Sequence, residues 1–154
     1  MSRAFVRESD QDTESLPERA ISPHPNLVTG AGLRQIEEQV RDLESDRRTA
    51  RQQDDKAALA RIERDLRYWT QRRGSARVVD TAQSPDIVRF GVKVTLESAD
   101  GSRREFRIVG EDEAEPSQGR ISWVSPLATA LIGKKLGDVV KFQGQDAEIV
   151  RLES

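Results

Sequence analysis

The chain has no cysteine, so disulfides and thiol catalysis are excluded. His24 is its single histidine, which leaves a tetrahedral zinc site without its usual ligands. Aromatic residues make up only 5% of the chain, too few to line a large aromatic pocket in addition to a core. No apolar run approaches the ~18 residues expected of a membrane span. The start, Met1-Ser2-Arg3, soon turns acidic and has no apolar signal region. These absences set the expectation of a soluble, cytoplasmic protein. A strong basic bias is missing too. Residues 33–73 carry 11 basic and 9 acidic side chains, and residues 74–154 carry 11 and 13. Gripping a nucleic-acid backbone unaided needs a clear excess of cations. The expected partner is therefore a protein.

What is present is charge. Charged residues make up 34% of the chain and hydrophobic ones 35%. So lean a core suits two small parts better than one large globule. Residues 1–28 read as a partly disordered tail. Glu8, Asp10, Asp12 and Glu14 precede Pro17, Pro23 and Pro25, and prolines at this density oppose both helix and central strand. The alternative is that Ser22 to Asn26 packs on the body as an extended anchor.

Residues 29–75 change character. Leu33, Ile36, Val40 and Leu43 are spaced 3, 4 and 3, and the same rhythm continues to Arg47 and Ala50. Leu59, Ile62, Leu66 and Trp69 repeat it. Such spacing paints one narrow apolar seam along each helix. Thr29 suits the start of the first helix and Gly74 the end of the second. The polar stretch Gln52-Gln53-Asp54-Asp55-Lys56 reads as the turn between them. Each seam must meet the other to leave water, so the helices fold back antiparallel as a coiled-coil hairpin. At ~1.5 Å per residue, helices of about 20 residues reach about 30 Å.

From Val78 the period becomes 2. Val88, Phe90, Val92, Val94 and Leu96 alternate with polar residues, as do Phe106 and Ile108. Ile121 and Trp123 follow, then Val139, Val140 and Phe142, then Ala147, Ile149 and Leu152. These are strands with one buried face. Ala99-Asp100-Gly101-Ser102 reads as a hairpin turn. In Ser125-Pro126-Leu127 through Gly133, a capping serine, a first-turn proline and a terminal glycine frame one short helix. The acidic group Glu111, Asp112, Glu113 and Glu115 reads as a solvated turn after a strand. The fold class is thus α+β: a helical hairpin, then a five-stranded antiparallel sheet with one short helix over residues 78–154.

These last blocks carry a resemblance. Arg107-Ile108-Val109-Gly110-Glu111-Asp112-Glu113-Ala114-Glu115 resembles the strand and acidic turn of the GreA/GreB transcription elongation factors. So do Ile121 through Ala128 and Leu131 through Asp138. The opening Met1-Ser2-Arg3-Ala4-Phe5-Val6, with Ser22 to Asn26, looks like the tail of GreB-like members. The resemblance implies an FKBP-like C-terminal domain that binds the β′ rim helices of bacterial RNA polymerase. It also implies a coiled coil that enters the secondary channel. There, tip carboxylates help hold a Mg²⁺ of the polymerase active centre while the polymerase cleaves the backtracked 3′ end of the nascent RNA. On this view the chain has no cofactor of its own, acts as an accessory rather than an enzyme, and is a monomer.

Residue by residue, the resemblance places polymerase docking at Ser125, Pro126 and Leu127, although Val124 stands where many relatives have a polar or acidic residue. It places the acidic tip at Asp54 and Asp55. The tip departs from the family: the Glu-Asn pair of cleavage-competent members is absent, the hairpin is shorter, and Lys56 adds an opposing charge. A regulator that occupies the channel without cleavage, or competes with Gre factors, fits the same residues. A peptidyl-prolyl isomerase would need an aromatic-lined pocket, but the alternation puts most of Phe90, Phe106, Trp123 and Phe142 in the core. A general coiled-coil adaptor is the remaining alternative.

Overall fold

A computed structural model describes residues 16–81 and 83–154. The N-terminal residues 1–15, where part of the expected tail falls, lie outside the described residues. Two compact units emerge. Among the described residues, one comprises residues 16–24 together with Ile36–Ser75; the other comprises Pro25–Gln35 with Ala76–Ser154.

The first unit holds most of the hairpin, whose first helix begins in the second unit. Helix α1 spans Gly30–Gln52 and helix α2 spans Lys56–Ser75. Along the two seams Ile36, Val40, Ala50 and Leu66 are buried, and Leu43, Leu59, Ile62 and Trp69 are half-buried. Arg51 reaches across the helix pair to Glu63 at 3.5 Å. Arg47 occupies a seam position where an apolar side chain is expected. Its Nε is buried and has no hydrogen-bond partner among the described residues.

Residues 16–24 are not a loose tail. Arg67 grips both carboxylate oxygens of Glu18, with Nε at 3.0 Å from each. Arg19 bridges to Asp65 at 3.5 Å and stacks 3.9 Å above the Tyr68 ring. Tyr68 in turn meets Trp69 edge to face at 5.0 Å. The segment is a strap along α2, held by charge and stacking rather than by hydrophobic period, and this hid it from a periodicity reading.

The second unit is the sheet domain. Its main sheet has the order β5-β4-β3-β7-β6. These strands are β3 Lys93–Ser98, β4 Arg103–Val109, β5 Arg120–Ser122, β6 Val139–Phe142 and β7 Gln145–Glu153. Helix α3, Pro126–Leu131, lies between β5 and β6 in sequence. Val94, Leu96, Phe106, Ile108, Ile121, Val140, Ala147 and Ile149 point inward to form the core with Ala128 and Leu131 of α3. At roughly 25 cal/mol per Å² of apolar surface, this cluster is the domain's main source of stability.

The expected strand count, the single helix and the turn at Ala99–Ser102 all appear, with three differences. First, β4 and β5 pair in parallel, so the sheet is mixed rather than wholly antiparallel. The chain leaves β4 at Gly110 and crosses back through short turns at Glu111–Glu113 and Pro116–Gln118, and such a crossover is what a parallel pair requires. Second, the first long strand begins at Lys93, not Val88. Gly91 interrupts the alternation at φ +86°, and a Cβ there would lie 2.2 Å from the Thr81 hydroxyl. Third, residues 27 and 28 are not tail. Strand β1, Leu27–Val28, pairs in parallel with β2, Arg77–Val78.

This small ladder anchors the first turn of α1 to the sheet. Val28 and Asn26 are buried. Gly110 passes so close that a Cβ would lie 2.4 Å from the Leu27 carbonyl oxygen. The Thr29 hydroxyl accepts from the Gly32 N–H at 2.9 Å, capping the helix as its residue type predicts. It also donates to the Glu113 carboxylate, which is 8% exposed. Helix α1 has no acidic residue in its own first turn. Glu113 supplies negative charge at that positive end from a distant part of the sequence. The acidic turn expected to be solvated is therefore partly structural.

Candidate functional site

Two groups of candidate residues need placing, one in each unit. At the hairpin turn, Asp54 sits at φ +51°, the left-handed position that ends a helix. The Asp55 N–H bonds to the Ala50 carbonyl at 3.0 Å, and the Asp54 N–H to that of Arg51 at 3.2 Å. Together these form a Schellman closure of α1, with aspartate in the place glycine most often takes. Asp55 then begins α2. Its Oδ1 accepts from the Ala58 N–H at 3.0 Å, the geometry of an N-cap. Both side chains are exposed. Asp55 Oδ2 and both Asp54 oxygens have no hydrogen-bond partner among the described residues. The structure thus brings the two carboxylates together at a turn and gives both positions structural work.

At the start of α3, Ser125 has extended backbone and its hydroxyl accepts from the Ala128 N–H at 3.3 Å. Its own N–H bonds to the Ser122 carbonyl at 2.9 Å. Pro126 fills the first helical position, where its missing N–H costs nothing, and is exposed. Leu127 is half-buried and packs on the core cluster. Of the three expected docking residues, only Pro126 presents its side chain outward. Beyond the helix, Ile132 is 40% exposed, Leu136 56% and Val139 57%, apolar surface that the resemblance did not single out.

The aromatic residues do not line an isomerase pocket. Phe106 is buried, and Phe90, Trp123 and Phe142 pack against the same core. Among the described residues no helix is long and apolar enough to cross a membrane.

Comparison with known proteins bears on the sheet domain. Residues 82–153 match the family model for the C-terminal domain of the transcription elongation factors GreA and GreB. The sheet domain is thus similar to the C-terminal domain of the GreA/GreB family. Transcription elongation factor GreB of Neisseria meningitidis serogroup A is 41% identical over 87 residues, covering 55% of this chain and 53% of that protein. GreB of Xanthomonas axonopodis pv. citri is 45% identical over 85 residues, covering 54% and 51%. The chain thus aligns with about half the length of the curated relatives it matches. Among solved structures, GreA factor homolog 1 of Thermus thermophilus aligns at a TM-score of 0.42 with 22% identity, covering 85% of this chain and all of that one. The GreA/GreB factor of Nitrosomonas europaea aligns at 0.43 with 17% identity, covering 83% and 98%. Within this domain, both the acidic turn of Glu111–Glu113 and the Ser125-Pro126 cap fall inside the matched span.

Sequence reasoning missed the tie from Glu113 to Thr29. One signal was available: a helix start with a threonine cap but no acidic residue in its first turn.

Proposed function

We propose that this chain is a transcription elongation factor that binds RNA polymerase and stimulates cleavage of backtracked nascent RNA, rescuing arrested complexes. The observation that supports it most is the GreA/GreB match over residues 82–153, with curated GreB proteins 41% and 45% identical there. In this reading the chain is an accessory to the polymerase rather than an enzyme alone, and works as a monomer in the cytoplasm. The sheet domain meets the β′ rim helices around Pro126. Ser125 shapes that contact by capping α3, and Leu127 supports it from the core side.

The hairpin tip serves the secondary channel. Two exposed carboxylates are too few to hold Mg²⁺ by themselves, and no group of three or more metal-ligating side chains gathers among the described residues. They do fit a shared ion. Mg²⁺ takes oxygen ligands and keeps several waters, so Asp54 and the outer oxygen of Asp55 can add to ligands already on the polymerase. Bound there, the ion supplies the activated water for phosphodiester hydrolysis. The chain's own contribution is to present the carboxylates on a fixed turn.

A second reading is a polymerase-binding regulator that occupies the channel without cleavage or competes with Gre factors. It is favoured by the structural roles of both aspartates and by the charge of the neighbouring Lys56. A transcript-cleavage assay on stalled elongation complexes decides. Asp54→Gly and Asp55→Asn remove each charge while keeping the turn and the cap. Under the first reading the wild type shortens the RNA 3′ end and each variant loses most of that activity. A wild type that binds polymerase but leaves the 3′ end intact selects the second. Absence of polymerase binding sinks both.

A further inference from the structure

The outer face of the sheet, opposite the core, is a grid of charges. Lateral pairing sets Glu153, Lys93, Arg107 and Arg120 in one row across four strands. Neighbours in such a row share a face with side chains in reach of each other, and like charges there repel. Most cations on this face are matched. Lys93 meets Glu153 at 3.0 Å and Glu105 at 3.7 Å. Arg103 meets Glu97 at 2.6 Å, and Arg151 meets Glu153 at 2.8 Å.

Arg107 and Arg120 are the exception. They are paired partners on adjacent strands, and neither forms an ion pair with a side-chain carboxylate among the described residues. Instead each is steadied by main-chain oxygen. Arg107 Nη1 donates to the Gly91 carbonyl at 2.8 Å, with a longer contact from Nη2 to Ser154 O at 3.5 Å. Arg120 Nε donates to the Glu113 carbonyl at 3.2 Å. These bonds fix the guanidinium groups; Glu153, whose carboxyl Lys93 and, to a lesser degree, Arg107 hold below its ordinary value, and the Ser154 terminal oxygen offset part of the Arg107 charge. Both arginines, half-buried, line a hollow of about 280 Å³ together with Lys93, Gln118, Gly119 and Glu105. Glu105 is the carboxylate of the lining; it is 57% exposed and sits beside Lys93.

We propose that this hollow binds a small phosphate oxyanion held between Arg107 and Arg120. Guanidinium forks match phosphate oxygens in pairs, and two adjacent forks match a diphosphate. The size of the hollow sits just below the ~300 Å³ at which drug-sized ligand pockets begin, so a phosphate or diphosphate fits and a whole nucleoside does not. The lining has no aromatic ring on which a base would stack. Recognition therefore rests on the phosphate groups, whether these are inorganic or the exposed end of a nucleotide. The anion would relieve the repulsion between the paired arginines, whatever partner the domain docks on.

Calorimetric titration of the full chain with sodium pyrophosphate tests this, with ADP and a single-stranded oligonucleotide as further arms. Pyrophosphate binds the wild type, and Arg107→Gln and Arg120→Gln each weaken it about tenfold or more. Arg103→Gln, on the same face but paired with Glu97, leaves the affinity within about twofold. Arg120→Lys keeps the charge and the fold but loses the fork, so it also weakens binding. ADP binding as tightly as pyrophosphate assigns the site to a nucleotide's diphosphate; pyrophosphate alone assigns it to the inorganic ion. Three results overturn the proposal: no heat and no movement of the arginine Nε–H signals with pyrophosphate, equal weakening by Arg103→Gln, or binding of the oligonucleotide alone.

Discussion

At the scale of single residues, the hairpin turn shows two acidic side chains held in place by backbone geometry. Asp54 pays for a left-handed conformation that glycine adopts freely. Asp54→Gly should therefore raise the stability of the hairpin by about 0.5–1 kcal/mol, read from the urea midpoint. Asp55 caps α2, so Asp55→Ala should cost about 1 kcal/mol while Asp55→Asn costs little. If both aspartates mattered only as charge, the alanine and asparagine variants would unfold alike. Arg47 raises a related question in the seam. Its buried Nε makes no bond with a described residue, and an unmatched polar group in a helix interface is destabilising. Arg47→Leu should stabilise the hairpin by about 1–2 kcal/mol. A lower melting temperature for that variant would mean that the guanidinium makes a contact the seam depends on.

Among the elements, the contacts that fix the two short strands are tighter than their length implies. Strand β1 is two residues long, yet Gly110 packs directly against its backbone. The nearest atom is a carbonyl oxygen in a paired strand, which cannot swing aside as a side chain would. Gly110→Ala should cost about 2 kcal/mol or more, measured by denaturant unfolding of the sheet domain. The strap on α2 is held differently. The bond from Arg67 holds the Glu18 carboxyl below its ordinary value of 4.5 even though the pair is exposed. A lowered carboxylate pKa stabilises fully above the ordinary glutamate range. That contribution fades as pH falls through the lowered folded value. The strap should therefore loosen in acid and not in mild base, seen as a change in Trp69 fluorescence together with the carboxyl titration of Glu18. Release of the strap on raising the pH from 7 to 9 would contradict this. High salt should weaken it as well, since exposed pairs are screened.

For the whole molecule, the division into units does not fall where the sequence pattern changes. A cut at Thr29, where the heptad pattern suggests the hairpin begins, removes β1 and strands β2 without a partner. A chain of residues 29–154 should be less stable in its sheet domain than the full chain, with extra loss of amide protection around Val79, whose N–H bonds to the Val28 carbonyl at 3.0 Å. Equal protection in both chains would show that the small ladder adds nothing. Much of the remainder was legible beforehand. The 3-4-3 spacing from Leu33 to Leu43 and from Leu59 to Trp69 specified both seams, because a narrow apolar stripe has no other way to leave water. The alternation around Phe106 and Ile149 specified which strand faces are buried, and Ser125-Pro126 specified a helix start, because each rests on neighbours close in sequence. The parallel β4–β5 pair, the strap on α2, the hold of Glu113 on Thr29 and the side-by-side placement of Arg107 and Arg120 were decided only by tertiary structure. Each joins residues far apart along the chain or on separate strands through one or two polar contacts, and single contacts leave no period for a sequence to display.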